Sequence, residues 1–84
     1  MTKVIIYTKN NCPFCVWAKQ ILDSKKISYQ EINIEHDPIK RNEMERLSGG
    51  HRTLPQIFIN DQFIGGYDEL STLAKSGKLD NLLK

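Results

Sequence analysis

The chain has two cysteines, and they stand three apart, as Cys12-Pro13-Phe14-Cys15. Thiols at that spacing on a first helical turn lie about 5–6 Å apart, within disulfide range, so the pair can open and close with little backbone movement. Position predicts an asymmetry between them. Cys12 precedes the helical turn, where the unpaired N–H groups of Phe14 and Cys15 and the helix dipole favour an anion. Its thiol is therefore expected to ionise below the ordinary value of about 8.5 and to act as the nucleophile. Cys15, one turn into the helix on its apolar side, is expected to be less exposed and to keep a higher pKa. That suits a resolving thiol, which attacks only after a mixed disulfide has formed. Lys9 adds positive charge just upstream. Two further readings fit a CxxC pair. Half of a zinc site needs a second ligand pair, and His36 and His51 stand fifteen apart rather than three to five. Two inert buried thiols need no special setting, whereas here a proline separates them at a helix start.

The rest of the chain bounds what such a pair could serve. With 84 residues the chain is read as a single domain, 1–84, with one small core. Two cysteines cannot build a disulfide scaffold, so stability must come from packing. Twelve Lys/Arg oppose ten Asp/Glu and form no long basic run, so no nucleic-acid partner is expected. Val4-Ile5-Ile6-Tyr7 is too short for a signal-peptide core, and no stretch approaches the ~20 apolar residues of a membrane span. A cytoplasmic, monomeric protein without a membrane partner is expected, in a compartment where free thiols stay reduced.

The positioning elements follow from pattern. Val4–Tyr7 reads as a buried strand, closed by Lys9-Asn10-Asn11. Pro13 suits the first turn of a helix whose buried side is Cys15, Ala18 and Leu22, flanked by Phe14, Trp17 and Ile21. Lys25 and Lys26 complement its negative end, and Ile27–Ile34 reads as a second strand. Asp37-Pro38 caps a second helix with Ile39, Met44 and Leu47 on its apolar face, ending at Gly49-Gly50. Gln56–Ile59 and Gln62–Ile64 flank Asn60-Asp61, which tolerate positive φ, so they form a tight antiparallel hairpin. After Gly65-Gly66, a third helix carries Tyr67, Leu70, Leu73 and Ala74 to Ser76-Gly77, and Leu79, Leu82 and Leu83 fold back on the core. The order is βαβαββα: an α/β fold with a four-stranded mixed sheet flanked by helices.

Three segments together resemble the glutaredoxins, small members of the thioredoxin-fold superfamily, over essentially the whole chain: Tyr7-Thr8-Lys9 leading into Cys12–Cys15, Thr53-Leu54-Pro55-Gln56-Ile57, and Gly65-Gly66-Tyr67-Asp68-Glu69-Leu70. The resemblance implies a cis Leu54–Pro55 bond against the cysteine turn, leaving the Leu54 N–H and C=O free to pair with an extended ligand. It implies that glutathione is the co-substrate, with no metal required. Phe14, Thr53, Leu54, Pro55, Gly66, Tyr67 and Asp68 would bind it, the start of the third helix taking the γ-glutamyl carboxylate and Asp68 the amino group. Lys9 and Arg41 would attract the glycyl carboxylate. Phe14 stands where the family more often has Tyr, so a hydroxyl is lost, and Tyr67 stands where a third cysteine is common. Trp17 is read as a core or rim residue, or, one turn past the active site, as part of a protein-contact surface, and His36 and His51 as surface residues.

The function implied is glutathione-dependent reduction of protein disulfides and glutathione mixed disulfides through Cys12 and Cys15. Partners would be glutathione and disulfide-bearing or glutathionylated proteins, with cytoplasmic reductases among the client types. Two alternatives from the same resemblance are a carrier holding a [2Fe-2S] cluster between two chains and two glutathiones, and a redoxin reduced by thioredoxin reductase.

Overall fold

The computed structural model describes residues 2–83. Strands β1 (Val4–Thr8), β2 (Gln30–Asn33), β3 (Gln56–Ile59) and β4 (Gln62–Gly65) form one sheet in the order β2-β1-β3-β4. β1 runs parallel to β2 and antiparallel to β3, and β4 returns antiparallel along β3. The helices are α1 (Pro13–Ser24), α2 (Pro38–Leu47), α3 (Tyr67–Ser76) and a short α4 (Lys78–Leu82), so the order is the expected βαβαββα with one added turn of helix.

Alternation along the two central strands divides the core into two layers. Val4 and Ile6 of β1 and Ile57 and Ile59 of β3 meet Ala18 and Leu22 of α1, Leu70 of α3 and Leu79 of α4. On the opposite face Tyr7 and Phe58 pack with Ile34 and with Met44 of α2. Both central strands are thus covered on each side, which fixes β1 and the turn that follows it.

Several local expectations hold in detail. Asp37 caps α2 by accepting the Lys40 N–H at 3.0 Å, with Pro38 opening the helix. Asn60 and Asp61 adopt φ of 50° and 67°, the geometry of a two-residue hairpin turn. Others are corrected. β2 begins at Gln30 rather than Ile27 because residues 25–27 close α1. Lys26 takes φ 57°, its N–H reaches Asp23 O at 3.0 Å, and the Ile27 N–H reaches Leu22 O at 2.9 Å. That pattern is a Schellman cap, and it leaves the Ile27 side chain packed on the core without strand pairing. On α2, Ile39 and Leu47 are exposed, and Met44 alone is buried. The apolar face of this helix is one residue wide because the sheet face beneath it is already filled by Tyr7, Ile34 and Phe58. Leu82 stays partly exposed, whereas Leu79 is buried. Among the described residues no helix is long and apolar enough to cross a membrane.

Candidate active site

The dithiol turn is built by the end of β1 and the start of α1. Asn11 takes φ 55°, reversing the chain, and Asn10 is clamped from β2: its side-chain oxygen accepts from Asn33 Nδ2 at 3.0 Å and its N–H donates to Glu35 Oε1 at 3.1 Å. Cys12 is the N-cap of α1. Its carbonyl accepts the Val16 N–H at 3.1 Å and its Sγ accepts the Cys15 N–H at 3.2 Å, while Pro13 opens the helix with no donor left over. Cys12 and Cys15 are joined as a disulfide, with Cα atoms 5.2 Å apart. Cys12 retains 8% exposure against 1% for Cys15, so the two sulfurs differ in access as their positions predict. After reduction, the N–H now directed at Cys12 Sγ is placed to stabilise a thiolate there.

A groove of about 300 Å³ runs beside this turn, lined by Phe14, Thr53, Leu54, Pro55, Gly66, Tyr67 and Asp68, with Glu69 closing it. Three segments distant in sequence meet here. The Leu54–Pro55 bond is cis and Pro55 is buried, and among the described residues the Leu54 N–H and C=O have no hydrogen-bond partner. The loop carrying them is anchored by His51, which is exposed, as expected, yet well hydrogen-bonded. His51 donates its N–H to Ser48 Oγ at 3.1 Å, places Nδ1 2.7 Å from Ser48 O, and accepts from Gln56 Nε2 at 2.9 Å. A carbonyl can only accept, so Nδ1 carries the proton. The ring also packs on Phe63 at 5.0 Å. Ser48 and Gln56 are near His51 in sequence, whereas Phe63 reaches the ring only when β3 and β4 pair.

Helix α3 presents its N-terminus to the same groove. Gly66 is the N-cap, and Glu69 reaches back to accept the Gly66 N–H at 2.7 Å, the glutamate half of a capping box, glycine having no side chain to supply the other half. The Gly66-x-x-Glu69 spacing was a legible signal for Glu69 that the sequence reading missed. Asp68 does not cap the helix. Its carboxylate is exposed and makes no hydrogen bond or ion pair among the described residues, so it is available to a ligand, as are the first N–H groups of α3.

The other flank of the dithiol is basic. Lys9, Lys19 and both cysteines line a second cavity, of about 600 Å³, with Glu31 and Asn33 behind them. Lys19 pairs with Glu31 at 3.1 Å, and Thr8 Oγ1 donates to the same Glu31 oxygen at 2.7 Å. The Thr8 hydrogen bond, helped by Lys19, holds the Glu31 carboxyl below its usual range despite partial burial. Lys9 is exposed and makes no ion pair among the described residues. Arg41 is exposed on α2 and lines neither cavity, so the structure does not bring it to the other predicted ligand contacts. Its α2 side chains face solvent because the helix offers the sheet only Met44. His36 is exposed, as expected. Among the described residues no group of three or more His, Cys, Asp or Glu could hold a metal ion.

A disulfide opening the first helix beside a four-stranded mixed sheet, next to a cis-proline loop, places the chain among the thiol-disulfide oxidoreductases of thioredoxin-like fold. Comparison with known proteins narrows the class. The sequence pattern of the family described as Glutaredoxin matches residues 4–64. Glutaredoxin 3 of Escherichia coli strain K12 is 51% identical over 84 residues, covering 100% of both chains. The solution structure of glutaredoxin from Brucella melitensis superposes with a TM-score of 0.85 at 46% identity, over 100% of this chain and 90% of that one. The crystal structure of a buckwheat glutaredoxin–glutathione complex superposes with a TM-score of 0.86 at 26% identity, over 98% of this chain and 76% of that one. The chain belongs to the glutaredoxin family. It is a dithiol glutaredoxin, an oxidoreductase that exchanges thiols and disulfides.

Proposed function

We propose that the reductant is glutathione, bound in the groove between the cis-proline loop and α3, and that the single 84-residue domain works as a cytoplasmic monomer on protein disulfides and glutathionylated proteins. The observation that carries this reading is the convergence of Phe14, Thr53–Pro55 and the unpartnered start of α3 in one groove beside Cys12. Glutathione is a short extended peptide with a carboxylate at each end. The free Leu54 N–H and C=O suit its backbone, the α3 N–H groups suit the γ-glutamyl carboxylate and Asp68 suits the adjacent amino group. Lys9, across the dithiol, suits the glycyl carboxylate. Arg41 is left out of this set. The buckwheat glutaredoxin solved with glutathione supports the same choice of ligand.

Cys12 acts as the nucleophile. Its thiolate attacks one sulfur of the client disulfide, that S–S bond breaks, and the leaving thiolate takes a proton from water while a Cys12 mixed disulfide forms. With a protein disulfide, Cys15 then loses its proton and attacks Cys12, expelling the client as a dithiol and leaving the Cys12–Cys15 disulfide. Two glutathiones supply the two electrons that reopen it and leave as glutathione disulfide. With a glutathionylated protein, Cys12 takes the glutathionyl group and a second glutathione resolves it, so Cys15 is dispensable. Turnover of a glutathione mixed disulfide, coupled to glutathione reductase, tests both halves. Wild type and Cys15→Ser are expected to turn over, Cys12→Ser is not, and only wild type should reduce a protein disulfide. Failure of wild type to turn over with glutathione, alongside efficient reduction by thioredoxin reductase, would overturn the choice of reductant.

A further inference from the structure

Trp17 lies outside the glutathione groove, yet its ring is continuous with it. The rings of Phe14, Trp17 and Tyr67 touch pairwise, with centroids 5.2 Å apart for Phe14–Trp17, 5.7 Å for Phe14–Tyr67 and 5.9 Å for Trp17–Tyr67. Phe14 and Trp17 keep 51% and 46% of their surface exposed, although each is a large apolar side chain. Tyr67 lines the groove and also a neighbouring cleft of about 530 Å³ whose far wall is Trp17, Gln20, Ile21 and Ser24. The three rings therefore form one exposed aromatic surface bridging both cavities, and it begins at Phe14, between the two cysteines.

Charge is distributed unevenly about the dithiol. Among the described residues, the charged ones lining these two cavities are Asp68 and Glu69, both acidic, and no lysine or arginine lines either. Glu69 is engaged by Gly66, whereas Asp68 is free. The basic groups, Lys9 and Lys19, lie on the opposite flank of the cysteines. A surface of aromatic faces with an unpaired carboxylate at its edge is complementary to a guanidinium, which stacks on rings through its plane and donates to carboxylate through its edge.

We propose that Phe14, Trp17 and Tyr67, with Asp68 at their edge, form a docking subsite for a basic side chain, arginine above all, in the polypeptide that flanks a client's disulfide cysteine. This inference rests on Cys12 as the point where the client enters. A client joined to Cys12 must lay its flanking chain over Phe14, and ring spacings of 5–6 Å match about two residues of extended chain at ~3.3 Å each. The subsite acts on protein disulfides, when no glutathione occupies the groove, and so selects the client without taking part in the exchange itself.

The test uses disulfide-bridged peptides of one sequence with Arg, Leu or Glu two residues from the attacked cysteine, assayed with glutathione and glutathione reductase. Bis(2-hydroxyethyl) disulfide serves as a substrate with no client peptide to lie against Trp17, which is outside the glutathione groove. For wild type, kcat/KM is expected to favour Arg over Leu by roughly two- to fivefold, the range of one exposed cation–π contact, and to disfavour Glu. Trp17→Ala should bring the Arg/Leu ratio close to one, Trp17→Phe should retain most of it, and both variants should process the small disulfide like wild type. Trp17 is the sole tryptophan, so emission of wild-type protein should also shift with the Arg peptide in its reduced form and not with the Glu peptide. Preference for Leu over Arg, an Arg/Leu ratio unchanged in Trp17→Ala, or an emission indifferent to the Arg peptide would each overturn the subsite. Loss of small-disulfide turnover by wild type would instead strike at the glutathione reading.

Discussion

Adjacent glycines at the entry to α3 should respond very differently to the same methyl group. Gly65 has φ 133°, in the region where an L side chain is strained, and a Cβ there would sit 2.6 Å from Glu69 Cγ and 2.7 Å from its Oε1. Gly65→Ala must therefore push the Glu69 side chain aside and strip the Gly66 N–H of its acceptor. The backbone strain costs about 1–3 kcal/mol and the lost cap about 0.5–2 kcal/mol. Taken together, and allowing for incomplete additivity, destabilisation of about 2–4 kcal/mol is expected, a drop of roughly 10–25 °C in Tm for a domain of this size. Gly66 has φ −101° and ψ −153°, which any residue adopts, and its Cβ would meet Pro55 O at 3.2 Å and Glu69 Oε1 at 3.6 Å. Gly66→Ala asks for a shift of a few tenths of an ångström, offset by about 0.4–1 kcal/mol of reduced unfolded-state entropy. Its Tm should stay within about 5 °C of wild type, while the methyl group, standing in the groove wall, raises KM for a glutathionyl substrate. Thermal melts by circular dichroism, with the coupled glutathione assay on the same samples, separate the two effects. Equal melting of the two variants, or a stable Gly65→Ala, would show that the capping contact and the φ do not govern this junction.

The remaining predictions concern the two flanks of the site. Because the folded-state pKa of Glu31 is lowered, its contribution to stability is present above the ordinary carboxyl value of 4.5 and lost as pH falls through the folded value. The Tm difference between wild type and Glu31→Gln should thus be largest near neutral pH and shrink below pH 4.5. With 35% of the Glu31 side chain exposed, solvent screening limits the gap to about 0.5–1 kcal/mol; a gap that is constant or grows toward acid would contradict the Thr8 and Lys19 contacts. His51→Ala removes a hydrogen bond to Ser48 O and the contact with Phe63. It should cost about 1–2 kcal/mol in a denaturant titration. Loosening the Thr53–Pro55 loop should also raise KM more than it lowers kcat, and an unchanged KM would show that the loop holds its place without His51.

Some of this protein could be read without a structure because it is encoded within a few residues. The proximity of Cys12 and Cys15 follows from one helical turn, the start of α2 from Asp37-Pro38, and the hairpin from two residues that tolerate positive φ. The run Val4–Tyr7 is equally local, and its reading as a buried strand holds, with Val4, Ile6 and Tyr7 all in the core. The resemblance to glutaredoxins supplied the cis bond, which spacing alone does not dictate. Pattern failed where burial depends on a neighbour's supply of surface. Ile39 and Leu47 have helical spacing but no uncovered sheet to meet, and Ile27 is β-branched yet serves in a helix cap.

Sequence by itself determined the chemistry at Cys12 and Cys15, since reactive groups, their separation and their place at a helix start are fixed by covalent connectivity and backbone geometry. Only the tertiary structure decided what surrounds that pair. Phe14 and Tyr67 are 53 positions apart in the chain and 5.7 Å apart in space. Which residues share a groove, and that Lys9 and Asp68 fall on opposite flanks of the dithiol, depend on how the strands pair and close the chain, a non-local outcome that no short window of sequence contains.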